Sequence, residues 1–158
     1  MLRHLFYPTN PAGSASLGLL AVRIVTGLAF ILHGWPKVMR EGELVLFAWM
    51  GPEAPVPGLL QAAAALIEVV GGGLLIVGLL TPAAALAIAL VMVVALGMVH
   101  LPKGDPFVNP KGASYELAAV YLANSVLLML AGAGRWSLDA VLFGRRQSTT
   151  TAAKNGTT

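Results

Sequence analysis

The chain reads as an all-α integral membrane protein, an antiparallel bundle of four transmembrane helices with short interfacial segments. Three observations carry this. Of its 158 residues 57% are hydrophobic and 11% charged, with mean hydropathy +0.79. A soluble domain carries about 25% charged residues, so the apolar surplus needs a bilayer as its solvent. The apolar residues fall into four runs of near-spanning length, separated by turn and breaker residues. A segment with no water to satisfy its backbone spans as a helix or as a closed barrel, and continuous apolar runs select the helix.

In chain order, residues 1–15 are polar, broken by Pro8 and Pro11, and lack the pattern of a signal peptide; they read as an N-terminal arm. The first span is 16–38, with Ser16 as a plausible N-cap; it ends at Trp35-Pro36-Lys37, where Trp favours the interface, Pro breaks the helix and Lys snorkels to water. The connector 39–58 contains the apolar stretch Leu44–Met50, too short to span and suited to a short interfacial helix. The second span is 59–80. Thr81-Pro82 makes the turn into the third, about 82–100, whose residues 83–99 are all apolar or glycine. A polar loop, 101–112, leads to the fourth span, 113–133. Residues 136–143 read as a short amphipathic segment, and 144–158 as a disordered tail after a single domain over 1–143. Alanines spaced by four (Ala83/Ala87, Ala85/Ala89, Ala119/Ala123) allow close helix contact.

The spans predict a multi-pass protein of the cell's inner (plasma) membrane with both termini on one side. Arg3, Arg135, Arg145, Arg146 and Lys154 fall on that side, and Lys37, Arg40, Lys103 and Lys111 on the other. The Arg145-Arg146 cluster tips the reading to N-in, C-in. The absence of cysteine excludes disulfides and cysteine-ligated clusters in this chain. No basic run interleaves with aromatics, so nucleic acid is not an expected partner; lipid is.

The most informative stretch is Leu66-Ile67-Glu68-Val69-Val70-Gly71-Gly72-Gly73. Glu68 is the one ionisable group in 59–80, and placing its charge in hydrocarbon costs at least about 2.5 kcal/mol without an offset. Placed by depth, His33, Glu68, His100 and Glu116 each come from a different helix into the outer half, with Arg23 approaching from the inner half of the first. One reading is structural: Arg23 pairs with Glu68 as a staple between helices, the others capping the interface. The other is a site for a small molecule with a polar head. A quinone fits that site, with Glu68 exchanging a proton and His33 donating a hydrogen bond as the catalytic pair, and Arg23, His100 and Glu116 binding the ligand. Two His and two Glu could hold a metal, but no Glu-x-x-His pair occurs on any helix, and no metal ligand is assigned. Gly71-Gly72-Gly73 reads as helix packing before ligand approach. Trp35, Trp49 and Trp136 read as interfacial anchors.

These residues resemble the DoxX family. The resemblance rests on Arg23, Gly27, His33-Gly34 and Lys37, then on Glu68-Val69-Val70-Gly71-Gly72 with Gly78-Leu79. It continues through Met92, Ala95 and His100, Lys111-Gly112 with Tyr115-Glu116, and the closing run Gly132-Ala133-Gly134-Arg135-Trp136-Ser137-Leu138-Asp139. It covers roughly 16–143. Ala133 stands where the closing run usually has proline, and Pro82 where a basic residue is common. The resemblance implies a four-helix membrane protein. It also implies kinship with the quinone-linked membrane subunit of thiosulfate oxidation, hence a quinone cofactor, a sulfur compound such as thiosulfate as reductant and an oxidoreductase partner subunit. The alternative reading is a non-catalytic membrane scaffold or a small-solute carrier.

Overall fold

The computed structural model describes residues 13–144; the expected N-terminal arm up to residue 12 and the expected tail beyond Gly144 lie outside the described residues. The chain is helical nearly throughout. Helix α1 (Gly13–Val38) is followed by a two-stranded hairpin, β1 (Met39–Arg40) with β2 (Glu43–Leu44), and then by α2 (Gly58–Val77). Helix α3 (Thr81–Val94) continues through a π-helical turn, Ala95–His100, into α4 (Leu101–Lys103); α5 (Glu116–Ala131) and α6 (Leu138–Phe143) complete the order. Three helices are long and apolar enough to cross a membrane: Gly13–Val38, Gly58–Val77 and the continuous Thr81–Lys103. The fourth expected span is shorter. Helix α5 has 16 residues, about 24 Å of rise against a hydrocarbon thickness of about 30 Å. The protein is an all-α membrane protein whose apolar outer surface, including Val25, Leu32, Val70 and Leu90, contacts lipid.

Four local expectations are corrected. Helix α1 begins at Gly13, so Ser16 lies inside its first turn, and the buried Ser16 hydroxyl accepts the Arg135 N–H at 3.3 Å instead of capping. Pro36 does not end α1, which runs on to Val38; so near the C-terminus a proline removes one helical hydrogen bond without breaking a long ladder. Residues 45–50 form successive turns, not an interfacial helix. The segment 136–143 is not merely interfacial, because its Asp139 is completely buried.

The core lies between α1, α2, α3 and α5, with Phe30, Leu75, Ile88, Met92 and Leu128 at its centre. Helices α1 and α2 make the closest approach. A Cβ at Gly27 would lie 2.5 Å from the Gly72 carbonyl oxygen, and one at Gly72 would lie 2.6 Å from that of Gly27. The two glycines let the backbones touch, which is how helices gain dispersion contact where lipid offers no hydrophobic force. A Cβ at Gly71 would meet Ile88 of α3 at 3.2 Å, whereas one at Gly73 would meet nothing within 4 Å. Helix packing, the expected reason for the glycine run, holds for its first two members.

One end of the bundle carries the loops 39–57 and 104–115 (the loop face), the other the tight α2–α3 turn (the turn face). Arg23 belongs to the turn face. Its guanidinium donates to the Ala133 carbonyl and, at 2.6 Å, to the Trp136 carbonyl. Asp139 lies close enough to act on it electrostatically. The Asp139 carboxylate in turn accepts Leu80 N–H at 2.7 Å and Thr81 N–H at 2.9 Å, while its own N–H donates to Gly78 O at 2.8 Å. This clamp holds an uncommon backbone. Gly78 ends α2 with φ +68°, its N–H bonded to Leu75 O and that of Leu79 to Leu74 O, and Leu80 follows at φ +50°. A bulky residue at positive φ is strained by about 1–3 kcal/mol and needs neighbours that fix it. Gly78 must also stay small, since a Cβ there would meet Ser137 at 2.6 Å and Arg23 at 2.7 Å. The closing run after α5 is thus a lock on the α2–α3 turn.

Two stability predictions follow from this packing, both read by thermal unfolding in detergent. Gly72→Ala forces α1 and α2 apart and costs about 1–3 kcal/mol, whereas Gly73→Ala, facing open space, stays within about 0.5 kcal/mol of the parent. Asp139→Ala orphans two N–H groups and costs at least about 2 kcal/mol, more than Asp139→Asn, which keeps one acceptor.

Candidate functional site

Glu68 is 2% exposed, and its partner is Lys37, not Arg23. Lys37 Nζ lies 2.6 Å from both carboxylate oxygens. The reason is the relative height of the helices. A Cβ at Gly34 would fall 2.9 Å from Glu68 Cβ, so Glu68 sits level with Gly34, one turn below Lys37 on the same helix. Arg23 is eleven residues further down, about 16 Å deeper. Measured from its own start at Gly58, Glu68 is about 15 Å along α2, while only four residues of α1 remain beyond Gly34. Helix α2 therefore overshoots α1 by about 9 Å, more than one and a half turns. Depth counted from flush helix ends misses Lys37, which then reads as a lysine reaching for water.

The lysine is fixed from above as well. Its ammonium lies 4.7 Å from the centre of the Trp49 ring, a cation–π contact. Trp49 Nε1–H donates to the Gln61 carbonyl at 3.0 Å. The buried Gln61 side chain ties the 45–57 turns to α2: its amide donates to Val56 O at 2.8 Å and its oxygen accepts Met50 N–H at 3.1 Å. Trp49 is thus a wall of the site, in contrast to the outward-facing Trp35 and Trp136.

Two cavities meet at the ion pair. One, of about 220 Å³, lies between α2, α3 and the 45–57 turns. Its walls are almost entirely apolar, with Trp49, Leu60, Ile67, Leu90 and Val94 among them. The other, of about 240 Å³, lies between α1, α3 and α5 and is lined by His33, His100, Ser114 and Tyr121 together with Phe30 and Met92. Lys37, Glu68 and Ala95 line both. The π-helical turn Ala95–His100 supplies walls to each; such turns are often found at functional sites.

The structure therefore brings together three of the five residues singled out in the sequence. Glu68, His33 and His100 face the second cavity. The His33 ring meets Tyr121 edge-on at 6.2 Å, and Phe30 lies 4.8 Å from the same tyrosine. His100 Nδ1 lies 2.8 Å from Asp105 Oδ2. Arg23 is at the other end of the bundle. Glu116 is exposed at the first residue of α5, where its N–H donates to Phe107 O at 3.0 Å; its side chain lines neither cavity. Among the described residues no three His, Asp, Glu or Cys side chains gather as a metal would need. Lys37 and Trp49 are the residues that depth reasoning missed. One signal was available: His33 and Lys37 stand four apart, hence on one helix face.

The family pattern described as DoxX matches residues 18–101. The chain is 31% identical over 131 residues, 82% of its length and 90% of the relative's, to a Bacillus subtilis (strain 168) protein named "Putative oxidoreductase CatD". It is 33% identical over 126 residues to an uncharacterized protein of Haemophilus influenzae, covering 79% of this chain and 90% of that one. It is 29% identical over 136 residues to the uncharacterized membrane protein Rv3486 of Mycobacterium tuberculosis, covering 80% and 82%. No solved structure matches the chain. A helical membrane bundle with a buried ion pair between two cavities is the class defined by fold and site. The chain belongs to the DoxX family.

The buried pair makes a sharp energetic prediction. Lys37→Met alone leaves an unpaired carboxylate and destabilises by about 3–5 kcal/mol; Lys37→Met combined with Glu68→Leu recovers most of that loss. Chemical or thermal unfolding of the single and double variants in detergent gives the coupling directly.

Proposed function

We propose that this protein is the membrane subunit of a quinone-linked oxidoreductase. In this reading it lies in the inner (plasma) membrane with both termini inside. The observation that carries the reading is the Lys37–Glu68 pair at the inner end of an apolar cavity whose Leu60, Leu90 and Val94 also lie on the lipid-facing surface. The chemistry of the lining suits a lipid-soluble ring with one polar edge. Apolar walls take the ring and its tail, and a single charged group meets the carbonyl.

Such sites are mostly apolar, with a few placed polar groups that set orientation. An ammonium has three N–H donors. Two of those of Lys37 are engaged by Glu68, and the third can be given to a ligand oxygen. Trp49 offers a flat face beside it. The Gln61 side chain gives one N–H to Val56 O and its oxygen to Met50 N–H, which holds the 45–57 turns against the cavity. When bound, a quinone supplies two-electron, two-proton redox chemistry. Glu68 is the group that takes or gives the proton, at a carboxylate oxygen already oriented by Lys37. The chain has no cysteine to carry electrons; in this reading a bound cofactor or a partner subunit brings them to the site. The name of the Bacillus relative speaks for redox work, and the resemblance to the thiosulfate-oxidising subunit suggests thiosulfate or a related sulfur compound as reductant. His33 acts from the second cavity and not as a hydrogen-bond donor beside Trp49.

The test is titration of the purified protein in detergent with a short-chain ubiquinone and a short-chain menaquinone, read by quenching of Trp49 fluorescence, with Trp49→Phe as the blank. Saturable quenching is expected, weakened at least about tenfold, or 1.4 kcal/mol, in Glu68→Gln and in Lys37→Met. If neither quinone binds at any accessible concentration, the reading fails. Co-purification with a catalytic partner then points to a scaffold, and uptake into proteoliposomes to a carrier.

A further inference from the structure

The two cavities share only the Lys37–Glu68 pair and Ala95, and they open to different surroundings. The apolar cavity is flanked by Leu60 and Leu90, 46% and 58% exposed on the surface that faces lipid. The second cavity runs from the pair toward the loop face. Its upper wall is Ser114, in the loop before α5, and His100, whose Nδ1 pairs with Asp105 of the same loop. It holds polar groups from the loop inward: Ser114 and His100 near the loop, with His33 and Tyr121 at about the level of Glu68. The titratable and charged groups that face Glu68 through it are Lys37 and His33 from α1, His100 from the π-helical turn and Tyr121 from α5.

We infer that Glu68 is served from two sides with different solvents. The apolar cavity admits the lipid-soluble ligand sideways from the bilayer. The polar cavity is the water and proton route between Glu68 and the loop face. Identifying the lipid-side ligand rests on the function proposed above; the water route does not. Along it, a proton arriving from loop-face water is accepted by the imidazole of His100 or His33 and released to a Glu68 carboxylate oxygen, each imidazole returning to its starting state. A histidine suits the task because its ordinary pKa lies near neutrality. Lys37 keeps the carboxylate at the boundary in either protonation state, held by Trp49 above it. The arrangement separates two needs that conflict in one pocket, a dry wall for an apolar ring and a wet path for protons.

The cysteine-free chain permits a direct test in proteoliposomes. Ala118→Cys lines the polar cavity and Ala64→Cys the apolar one. With a sulfonate-bearing methanethiosulfonate, Ala118→Cys is expected to react at least about tenfold faster than Ala64→Cys, and with pyrene maleimide the order reverses. Met92→Cys, deep in the polar cavity, replaces Ala118→Cys where that variant does not fold. Equal rates, or a polar-cavity cysteine that the sulfonate never reaches, overturn the water route. The proton step is read by infrared in Lys37→Met, where the Glu68 carboxyl band, identified by its loss on adding Glu68→Gln, exchanges in D2O. Adding His33→Leu and His100→Leu should slow that exchange at least about tenfold; unchanged exchange overturns the histidine relay. Sulfonate access without quinone binding leaves the route standing and the quinone reading lost, and quinone binding without sulfonate access does the reverse.

Discussion

The buried ion pair between Lys37 and Glu68 is the interaction on which the loop-face half of the bundle depends. A lone carboxylate in an apolar helix is expensive, and the ammonium at 2.6 Å offsets that expense only because both groups are held in place. Three features hold them. Gly34 lets α1 press against Glu68 Cβ, the Gly27–Gly72 contact fixes the height of the two helices, and Trp49 covers the lysine. Each brings α1 and α2 together. The pair is then both a bond between those helices and the common wall of two cavities.

The turn face solves a similar problem by other means. Arg23 carries a second buried charge, and its hydrogen-bond partners are the carbonyls of Ala133 and Trp136. Carbonyl dipoles engage both terminal nitrogens of the guanidinium without a full counter-charge, its Nε is left without a hydrogen-bond partner, and Asp139 nearby supplies part of a counter-charge. That carboxylate spends its lone pairs on the N–H groups of Leu80 and Thr81. One charged group thus steadies a strained turn, and another anchors the segment after α5. The two ends differ in kind: the turn face is a packed lock, and the loop face surrounds space. Binding chemistry belongs where space and charge coincide.

Much of the architecture was legible in the residues. The apolar runs and the Pro82 start of α3 reflect local rules of helix length and initiation, whereas the second span, expected to run to residue 80, stops at Val77, where Gly78 turns left-handed. The importance of Glu68 was equally legible, since burial of a carboxylate is costly whatever surrounds it. Its partner was not. Arg23 and Lys37 flank the right depth on the same helix, and the choice between them turns on a vertical offset of more than about one and a half turns between α1 and α2. Glu116 was misplaced for a related reason: α5 starts only at Glu116, three residues after the expected start of the span, which leaves that side chain at the exposed end of the helix.

Composition and periodicity by themselves determined that this is a helical membrane protein, that one carboxylate in its second helix demands a partner, and that the chain has no cysteine to carry electrons. These follow from solvation energies and local geometry, which depend on a residue and its near neighbours in sequence. Tertiary structure alone decided that the partner is Lys37, that Trp49 roofs it, that Arg23 and Asp139 form a separate lock, and that two cavities, one more polar than the other, meet at Glu68. Those facts depend on how far one helix slides along another. That slide is set by where glycine backbones can touch, a contact between residues 45 apart in sequence that no local pattern records.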